Sequence, residues 1–600
     1  MDFAQKVREE VKGGITGPNR TCEYYPCHFE GQDCTFCFCP LYPCMDTELG
    51  KMVIGRKGDP VWSCMECHFT HRGEVAADLK ARLEHELAVP ASPERNHEIL
   101  AEMSKNHRKR ARSIMVLGAT SGAGKSLITT ALCRIFSDRG LKVAPFKSQN
   151  MSLNSCVTRA GEEIARAQEL QARAARAEPS ALMNPILLKP KGNATSQVIV
   201  DGRPYADLDV STYYEEFVQN EGMRAVRDAY DELARDNDVI VIEGAGSPAE
   251  INLGAKDISN MVTAEVADAQ CILVVNMEWG GAFAYACGTI MLLPEKQRKR
   301  FCGVVFNNLQ GSADGLRTGI VKLERLLKIP VLGIVPHLNL TLPTEDSMHM
   351  MAICPDRGAV RVGMIRLPHV SNFTDLEALA IEPGTEVVLV SEPSQLSQVD
   401  ALVVPGTKNT VDDLEWLRAS GLFDGIRAMR GKVPIIGICG GYQMLGREVI
   451  DETGVEGGVP KVLEGLGLLD VVTRFSAYEK RTVQVDGTLL STGEEVRGYE
   501  IHMGRTEGTM RALLSLREGG SEQNEGAVSE DGMVIGTYVH GIFDLPPMRK
   551  KLLSLARKER HRGAAEVAYQ EVVEKSIDQL AAGVARSLDL KPLIEHVEGT

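Results

Sequence analysis

The residue with the clearest catalytic potential in this 600-residue sequence is a cysteine set among glycines. Cys439 follows the apolar residues 433–438 and precedes Gly440 and Gly441. The apolar run predicts a strand, the glycines permit a sharp bend, and the residues beyond them can begin a helix. A thiol near a helix N-terminus is stabilised as the nucleophilic thiolate. Taken alone, the same pattern also fits an inert core cysteine.

A nucleophilic cysteine requires a base, and His540 is the best candidate. It ends another apolar segment, about a hundred residues after Cys439. A cysteine and a histidine at two strand ends form a common distributed dyad. His502 is a rival base. The turn that contains Gly406 follows a further predicted strand, and we expect the backbone N–H groups of Gly406 and Gly440 to form an oxyanion hole.

A glycine-rich segment earlier in the chain predicts a nucleotide site. The apolar residues 114–117 run into GATSGAGKS at 118–126, and a helical pattern follows. In this context backbone N–H groups cradle phosphates, the Lys125 ammonium reaches the β and γ oxygens, and the Ser126 hydroxyl can bind Mg²⁺. Glu243 ends the apolar run 239–242 and is predicted to hold Mg²⁺ opposite Ser126. The nucleotide-binding residues predicted from this loop are Gly118, Thr120, Ser121, Gly122, Gly124, Lys125 and Ser126.

The N-terminal part of the chain is rich in cysteine. Eight of the 15 cysteines lie within residues 22–67, and Cys34/Cys37 and Cys64/Cys67 have C-x-x-C spacing. In an apparently cytosolic chain such clustering indicates metal binding rather than disulfides, and metal would help a segment with a small core to fold. Zinc and an iron–sulfur cluster both remain possible within residues 22–71. The predicted ligands are Cys22, Cys27, Cys34, Cys37, Cys39, Cys44, Cys64 and Cys67.

Composition narrows the class of protein. The net charge is −14 and the sequence pI is near 5.6, which argues against a large basic surface for nucleic acid. No apolar run is long enough to span a bilayer, and the N-terminus lacks a signal-peptide pattern. We therefore expect a cytoplasmic enzyme with neither a nucleic-acid nor a membrane partner.

Strands and helices alternate from residue 113 to about 350, which predicts a parallel sheet covered on both faces. A second α/β domain begins near residue 361. The predicted division is a cysteine-rich metal-binding module at 1–73, a helical linker at 74–112, a P-loop ATP-binding domain at 113–350, a second α/β domain at 361–560 and a helical tail at 561–600.

Four long motifs between the P-loop and the second domain point to one family. They read VAPFKSQNM at 143–151, EIARAQ at 163–168, MNPILLKP at 183–190 and IEGAGSPAEINL at 242–253. In this order they resemble cobyric acid synthase, and the resemblance covers roughly residues 113–560. It implies a P-loop NTPase-like domain followed by a flavodoxin-like class I glutamine amidotransferase domain.

The resemblance also implies an activity and further site residues. The family uses glutamine and ATP to amidate the b, d, e and g carboxylates of adenosylcobyrinic acid a,c-diamide, so glutamine and a corrinoid acid are the expected substrates. By the same resemblance, Glu163 is a second magnesium ligand and Asn307 contacts the nucleotide base. Lys147 follows a predicted strand and is expected to neutralise charge on the transferred phosphoryl group.

Two departures from the family patterns leave roles unassigned. Asn276, Glu278 and Trp279 stand where the family usually has two aspartates and an arginine. Most related amidotransferases place a glutamate two residues after the catalytic histidine, and here Ile542 occupies that position, as in the cobyric acid synthase branch. The group that orients His540 is thus not identified.

Two other functions remain open at this stage. A cobyrinic acid a,c-diamide synthase differs only in which carboxylates it amidates, and the motifs at 146–151 and 371–375 favour cobyric acid synthase over it. A non-catalytic, nucleotide-dependent regulator is a hypothesis of another class, and intact Cys439, His540, Lys125 and Glu243 argue against it.

Overall fold

The computed structural model divides the chain into two compact units, Met1–Arg110 and Ala111–Thr600, and each is treated separately below. No helix in the described part of the chain has the length and apolarity needed to cross a bilayer. The structure describes residues 9–13, 17–25, 27–28, 32–37, 39–45, 49–54, 58–65, 67–86, 98–100, 103, 111–192, 194–343, 360–476, 480–518, 521–556 and 567–599.

The first unit contains an antiparallel hairpin, β1 (Lys51–Ile54) and β2 (Pro60–Ser63), and a helix over Gly73–Glu86. The sequence pattern predicted this helix as part of a linker. Its apolar face instead packs with the cysteine-rich segment, since Leu79 shares a buried cluster with Phe36 and Trp62. The unit therefore has a small apolar core to which the predicted linker contributes. Most of the predicted linker beyond the helix lies outside the described residues.

The second unit begins with the P-loop domain, whose main sheet has six parallel strands in the order β14-β13-β12-β3-β11-β4. The predicted parallel sheet is confirmed. A four-stranded sheet, β10-β9-β8-β5, and a ribbon, β6-β7, extend the domain. The strands are β3 (Arg112–Gly118), β4 (Val143–Phe146), β5 (Gln149–Met151), β6 (Ser155–Val157), β7 (Glu163–Ala165), β8 (Ile186–Gly192), β9 (Thr195–Val200), β10 (Arg203–Asp209), β11 (Val239–Glu243), β12 (Gln270–Asn276), β13 (Phe301–Leu309) and β14 (Val331–Pro336).

The second domain of this unit has a central sheet in the order β16-β15-β17-β18-β28-β27, parallel except for β27. Two four-stranded sheets, β20-β19-β21-β24 and β23-β22-β25-β26, are inserted between β18 and β28. The strands are β15 (Val360–Ile365), β16 (Thr385–Val390), β17 (Ala401–Val404), β18 (Ile435–Ile438), β19 (Glu448–Asp451), β20 (Lys461–Glu464), β21 (Val471–Phe475), β22 (Arg481–Leu489), β23 (Glu495–His502), β24 (Arg505–Gly508), β25 (Leu514–Glu518), β26 (Ser521–Glu525), β27 (Ala527–Val528) and β28 (Val534–Thr537).

Helices cover both faces of the two parallel sheets, as expected for strands that are buried throughout. A π-helical stretch, Tyr213–Gly222, continues into the helix that follows it. The α-helices of the second unit are Lys125–Asp138, Arg166–Ala174, Val210–Thr212, Met223–Asp236, Met261–Val266, Ala282–Leu292, Glu295–Arg298, Arg317–Leu327, Glu377–Ala380, Thr410–Ala419, Leu422–Ala428, Gly440–Leu445, Pro546–Ala556, Tyr569–Ser587 and Lys591–Glu598.

The C-terminal helix Tyr569–Ser587 returns to the P-loop domain and packs along the P-loop helix Lys125–Asp138. Arg134, which is buried, donates hydrogen bonds from its guanidinium to Glu574 (3.0 Å) and Asp578 (2.8 Å) on the C-terminal helix. The segment that the sequence pattern predicts as a helical tail therefore packs against the P-loop domain.

Candidate active sites

Cys439 lies on a strained turn between a strand and a helix. Strand β18 ends at Ile438, and the helix Gly440–Leu445 begins directly after the cysteine. Cys439 has φ 52° and ψ −112°, a conformation that an L-residue with a side chain rarely adopts. This strained strand-to-helix turn presents a nucleophile at the carboxyl edge of a sheet. A Cβ at Gly441 would lie 1.9 Å from the carbonyl oxygen of Val404, so only glycine fits there.

His540 is held beside Cys439 by Asp375. His540 Nδ1 lies 2.7 Å from Asp375 Oδ2, and the N–H of Gly541 donates to the other carboxylate oxygen at 2.8 Å. Both members of the pair are buried. Asp375 belongs to a short 3₁₀ helix, Phe373–Leu376, after β15. Asp375 is therefore the group that orients His540, which the sequence pattern left unassigned. Its only signal in the sequence is that it is the acidic residue of the family-like motif 371–375.

The charges around His540 favour an imidazolium. Burial alone lowers its pKa, but the Asp375 carboxylate and the Cys439 thiol, which also hydrogen-bonds to the ring, raise it more strongly, so that the pKa is raised to about 10. The rival base His502 behaves in the opposite way, because burial lowers its pKa to about 4. Its ring stacks on Tyr538 with centroids 3.7 Å apart. The geometry thus favours a Cys439–His540–Asp375 triad.

The predicted oxyanion-hole residues lie close to the triad. A Cβ at Gly406 would lie 3.0 Å from His540 Cε1, and a Cβ at Gly440 would lie 3.1 Å from the backbone N of Thr407. The turn after β17 is fixed by the Ser371 N–H, which donates to the Gly406 carbonyl at 2.9 Å. Gly406, Thr407 and Gly440 therefore surround the cysteine turn, and the oxyanion role of Gly406 and Gly440 stays a prediction.

The P-loop, residues 118–126, borders a cavity of about 950 Å³. Lys125 Nζ donates to the carbonyls of Thr120 (3.1 Å) and Gly246 (2.9 Å). Gly124 has φ 93°, which brings its backbone close to Asn307, whose side-chain amide donates to the Ala123 carbonyl at 3.1 Å. Among the predicted nucleotide-binding residues, Ser121, Gly122, Gly124, Lys125, Ser126 and Asn307 line this cavity, and Gly118 and Thr120 belong to the same loop.

Glu243 is the acidic centre of this cavity. Its carboxylate is 1% exposed and accepts hydrogen bonds from Ser126 Oγ (2.9 Å) and Lys147 Nζ (2.9 Å). Gln171 donates to the second oxygen at 2.5 Å. A carboxylate and a hydroxyl side by side at a phosphate loop fit Mg²⁺, which prefers such oxygen ligands. Ser126, Lys147 and Glu243 are thus brought together as the sequence predicts.

Glu163, predicted as a second magnesium ligand, lies elsewhere. It is fully buried, and its carboxylate pairs with Lys189 Nζ at 2.6 Å and with Lys480 from the second domain. Ser155 Oγ also donates to it, at 2.8 Å. Glu163 is absent from the described lining of the nucleotide cavity. In this structure Glu163 thus belongs to an ion-pair cluster that tertiary contacts create and that no local pattern could reveal. Its role as a second magnesium ligand stays a prediction.

The residues that depart from the family pattern border the P-loop. The side-chain amide of Asn276 donates to the Gly122 carbonyl at 3.2 Å, and Glu278 accepts a hydrogen bond from Asn308 at 2.8 Å. Trp279 is 58% exposed, and its indole lies over Gly122, where an added Cβ would be 3.1 Å from the ring. At this position the chain therefore places an aromatic ring beside the P-loop, in the lining of the nucleotide cavity.

In the cysteine-rich unit the structure groups the cysteines differently from the C-x-x-C prediction. Cys39, Cys44, Cys64 and Cys67 share one apolar cluster. Burial, and to a smaller extent the charges of the other three cysteines, raise the pKa of the Cys39 thiol to about 12. In contrast, Cys34 lies beside Gln32, whose amide also contacts Cys27, and Cys22 and Cys37 are exposed.

Three histidines lie near Cys27 in the same unit. His28 stacks on His71 with ring centroids 4.1 Å apart and meets His68 edge-on at 5.8 Å, and Cys27 Sγ lies 3.3 Å from His28 Nδ1. Within the described ranges, however, no three His, Cys, Asp or Glu side chains form a group that could hold a metal ion. Metal binding by the predicted cysteines therefore stays a prediction.

Comparison with known protein families identifies three regions of the chain. Residues 14–92 match the cysteine-rich small domain, residues 114–341 match the CobQ/CobB/MinD/ParA nucleotide binding domain, and residues 361–548 match the CobB/CobQ-like glutamine amidotransferase domain.

Individual relatives extend the similarity over both catalytic domains. The chain is 46% identical over 497 residues to the probable cobyric acid synthase of Methanosarcina mazei, covering 81% of this chain and 99% of the relative. It is 43% identical to the cobyric acid synthase of Geobacillus thermodenitrificans (81% and 97% covered) and 41% identical to that of Citrobacter koseri (80% and 97% covered). The chain belongs to the cobyric acid synthase family.

Proposed function

We propose that this protein uses glutamine and ATP to amidate the b, d, e and g carboxylates of adenosylcobyrinic acid a,c-diamide, giving cobyric acid. The observation that carries the proposal is the presence of two reaction centres in one compact unit. One is the buried Cys439–His540–Asp375 arrangement, and the other is the P-loop cavity with Lys147 and Glu243.

In the glutaminase reaction, Cys439 Sγ attacks the side-chain amide carbon of glutamine. The C–N bond breaks, the proton held on His540 passes to the departing nitrogen, and neutral ammonia and a glutamyl thioester result. Asp375 fixes the ring so that one nitrogen faces the sulfur throughout. Water, deprotonated by His540, then hydrolyses the thioester to glutamate and restores the thiol.

In the synthetase reaction, the substrate carboxylate attacks the γ-phosphorus of ATP and forms an acyl phosphate and ADP. Ammonia then attacks the acyl carbon, phosphate leaves, and the amide remains. Lys125 and Lys147 would stabilise charge on the transferred phosphoryl group, and Ser126 and Glu243 would hold Mg²⁺. Bound there, Mg²⁺ supplies charge neutralisation for the phosphate oxygens.

The substrate assignment is tested with Mg·ATP, glutamine and a panel of corrinoid acids, with the amides added to each counted by mass spectrometry. We expect four amidations of the a,c-diamide. Amidation confined to the a and c positions would instead identify an a,c-diamide synthase. No amidation of any corrinoid would refute the substrate class.

The division of labour is tested with Cys439→Ala. Because the thiol acts only on glutamine, the variant should lose glutamine-dependent amidation and retain amidation with added ammonia. Lys125→Ala is the matched variant for the other centre, and it should lose both. Equal loss of both activities in Cys439→Ala would contradict the assignment of the two centres.

We further propose that the cysteine-rich unit binds zinc or an iron–sulfur cluster through thiolates. The shared cluster of Cys39, Cys44, Cys64 and Cys67 supports this, because four thiols in one apolar environment are the donors that both metals prefer. Elemental analysis and the visible absorption spectrum of the purified protein distinguish zinc from iron. A full-length protein without either metal, isolated anaerobically, would contradict the proposal.

A further inference from the structure

A cluster of buried charges lies between the Cys439 site and the P-loop domain. Glu163 and Lys189 come from the P-loop domain, whereas Lys408, Glu456 and Lys480 come from the amidotransferase domain. Lys189 Nζ lies 2.6 Å from Glu163 Oε1, and Lys480 pairs with the other oxygen of the same carboxylate. The side chains of Lys189 and Lys480 are each 5% exposed. No step of the proposed mechanism uses these groups.

The lysines of this cluster face the reacting thiol. Lys189, Lys408, Glu456 and Lys480 line the same small cavity as Cys439 and His540. Lys408 follows the Gly406–Thr407 turn, and its ammonium donates to Gln197 of the P-loop domain at 2.8 Å. The glutaminase cavity is therefore completed by residues of the synthetase domain.

A single layer of residues separates this cavity from the nucleotide cavity. On β8, Lys189 lines the cysteine cavity and the next residue, Pro190, lines the nucleotide cavity. After β15, Asn372 lines the first cavity, whereas its neighbour Phe373 lines the second. The Asn372 side chain accepts a hydrogen bond from the Ser155 N–H at 3.0 Å, which ties the two domains together at this wall. Ammonia that moves directly between the two centres must cross this wall.

The electrostatics of the cluster disfavour a cation. Three lysines stand against two carboxylates, and burial raises the pKa of Glu456, which favours its neutral form. The Lys408 side chain ends in an ammonium group, so its pKa shows how the surrounding charges affect a cation at this position. Burial and then the charges of Lys480 and Lys189 lower its pKa to about 7. An alkylammonium at this position thus loses its proton near neutral pH.

We propose that Lys189, Lys408 and Lys480 form a charge barrier that passes neutral ammonia toward the synthetase site and excludes ammonium. This inference rests on the proposed amidotransferase function. Ammonia leaves the thioester-forming step uncharged and is nucleophilic only in that form. Lys189 and Lys480 together carry more positive charge than Glu163 offsets, and the protonated fraction of Lys408 adds to it. This excess of positive charge repels ammonium from the solvent, so that nitrogen from glutamine is used in preference to bulk ammonium.

The test is an isotope competition in the full-length protein. Glutamine that carries heavy nitrogen in its side-chain amide is supplied with Mg·ATP, the corrinoid acid and an excess of unlabelled ammonium chloride. The labelled fraction of the product amide is measured by mass spectrometry. This fraction is a ratio and does not depend on how much active enzyme remains. Wild-type protein should give a product labelled almost entirely from glutamine.

The variants are Lys189→Met and Lys408→Met, with Lys299→Met as the control. Lys189→Met leaves Glu163 paired with Lys480 and hydrogen-bonded to Ser155, which limits the loss of stability. Lys299 forms an exposed ion pair with Glu295, so its replacement does not alter the buried cluster. We expect the unlabelled fraction to rise at least threefold in both cluster variants and to stay at the wild-type value in the control.

The outcomes separate the inference from the function on which it rests. An unchanged labelled fraction in both cluster variants, with ammonia-dependent amidation intact, would overturn the barrier while leaving the amidotransferase function in place. Absence of amidation by wild-type protein from either nitrogen source would overturn the proposed function itself. If one cluster variant fails to fold, the other decides the question, since Lys408 contacts Gln197 rather than Glu163.

Discussion

Asp375→Asn tests the triad most directly, because the substitution removes one charge and keeps the shape of the side chain. In the native site the pKa of His540 is raised from 6.5 to about 10, with Asp375 as the largest of the raising interactions. Burial is the larger single effect and acts to lower the pKa. Without the carboxylate charge, we therefore expect the pKa of His540 to fall from about 10 toward its ordinary value of 6.5.

The magnitude follows from the protonation state and from the geometry. At pH 7.5, a ring with a pKa of 6.5 is protonated in about one molecule in ten, so the imidazolium that protonates the departing nitrogen becomes about tenfold rarer. Loss of the ring orientation adds a further factor, and Asp→Asn at a comparable triad costs about 10⁴ in kcat. We expect the glutaminase kcat to fall by about 10² to 10⁴, with ammonia-dependent amidation unchanged.

The pH dependence of thiol alkylation measures the cause of that loss. In wild-type protein, alkylation of Cys439 should show no titration of His540 below about pH 10, whereas Asp375→Asn should show this titration at a pH well below 10. Glu382→Gln is the matched control, because Glu382 forms a buried pair with Arg549 (2.6 Å) in the same domain. A variant with wild-type glutaminase activity, or with an unchanged alkylation profile, would refute Asp375 as the orienting group.

Three further perturbations address other parts of the structure. Glu243→Gln should lower ATP-dependent amidation from either nitrogen source by about 10² or more, since one charge beside Ser126 is lost, and it should leave glutaminase activity unchanged. Unchanged amidation would exclude Glu243 from the synthetase site. Nucleotide should change the fluorescence of Trp279, which borders the P-loop, and Trp279→Phe should abolish that change; a full response in the variant would place the probe elsewhere. Arg134→Ala should lower the free energy of unfolding, measured by denaturant titration, by about 1–3 kcal/mol. This range is reduced because the partner carboxylates, Glu574 and Asp578, are about half exposed. An unchanged midpoint would show that the C-terminal helix is held by apolar contacts alone.

The raised pKa of His540 makes the contribution of the His540–Asp375 pair to the free energy of unfolding depend on pH. The pKa of His540 is higher in the folded protein than its ordinary value of 6.5. Its contribution is therefore complete below about pH 6.5 and is lost as the pH rises through about 10. The difference in unfolding free energy between wild-type protein and Asp375→Asn should shrink across that window.

Local patterns in the sequence were sufficient for the features that depend on chain neighbours. The P-loop, the strand that ends at Glu243 and the turn at Cys439 each combine an apolar run with glycines at fixed spacing. The alternation of strand and helix patterns also predicted the parallel sheet of the P-loop domain, because buried strands read as continuous apolar runs.

Features created by contacts between distant segments were not predicted. Asp375 lies 165 residues before His540, and Glu163 meets Lys480 across 317 residues. Neither pairing has a signature in a single sequence, because an acidic residue in a loop looks the same whether it meets solvent, a metal or a buried lysine. The grouping of Cys39 and Cys44 with Cys64 was not predicted for the same reason, since C-x-x-C spacing describes local pairs only.

The helix Tyr569–Ser587 has a consequence for biosynthesis. It packs on the P-loop helix Lys125–Asp138, whose own sequence leaves the ribosome more than four hundred residues earlier. Domains generally fold as units during synthesis, N-terminal first. Here the nucleotide domain can complete its core only after the entire amidotransferase domain has been synthesised. Until then, one side of that core lacks its packing partner. A nascent or prematurely terminated chain would therefore expose that apolar side, and chaperones should retain such chains until the last helix docks.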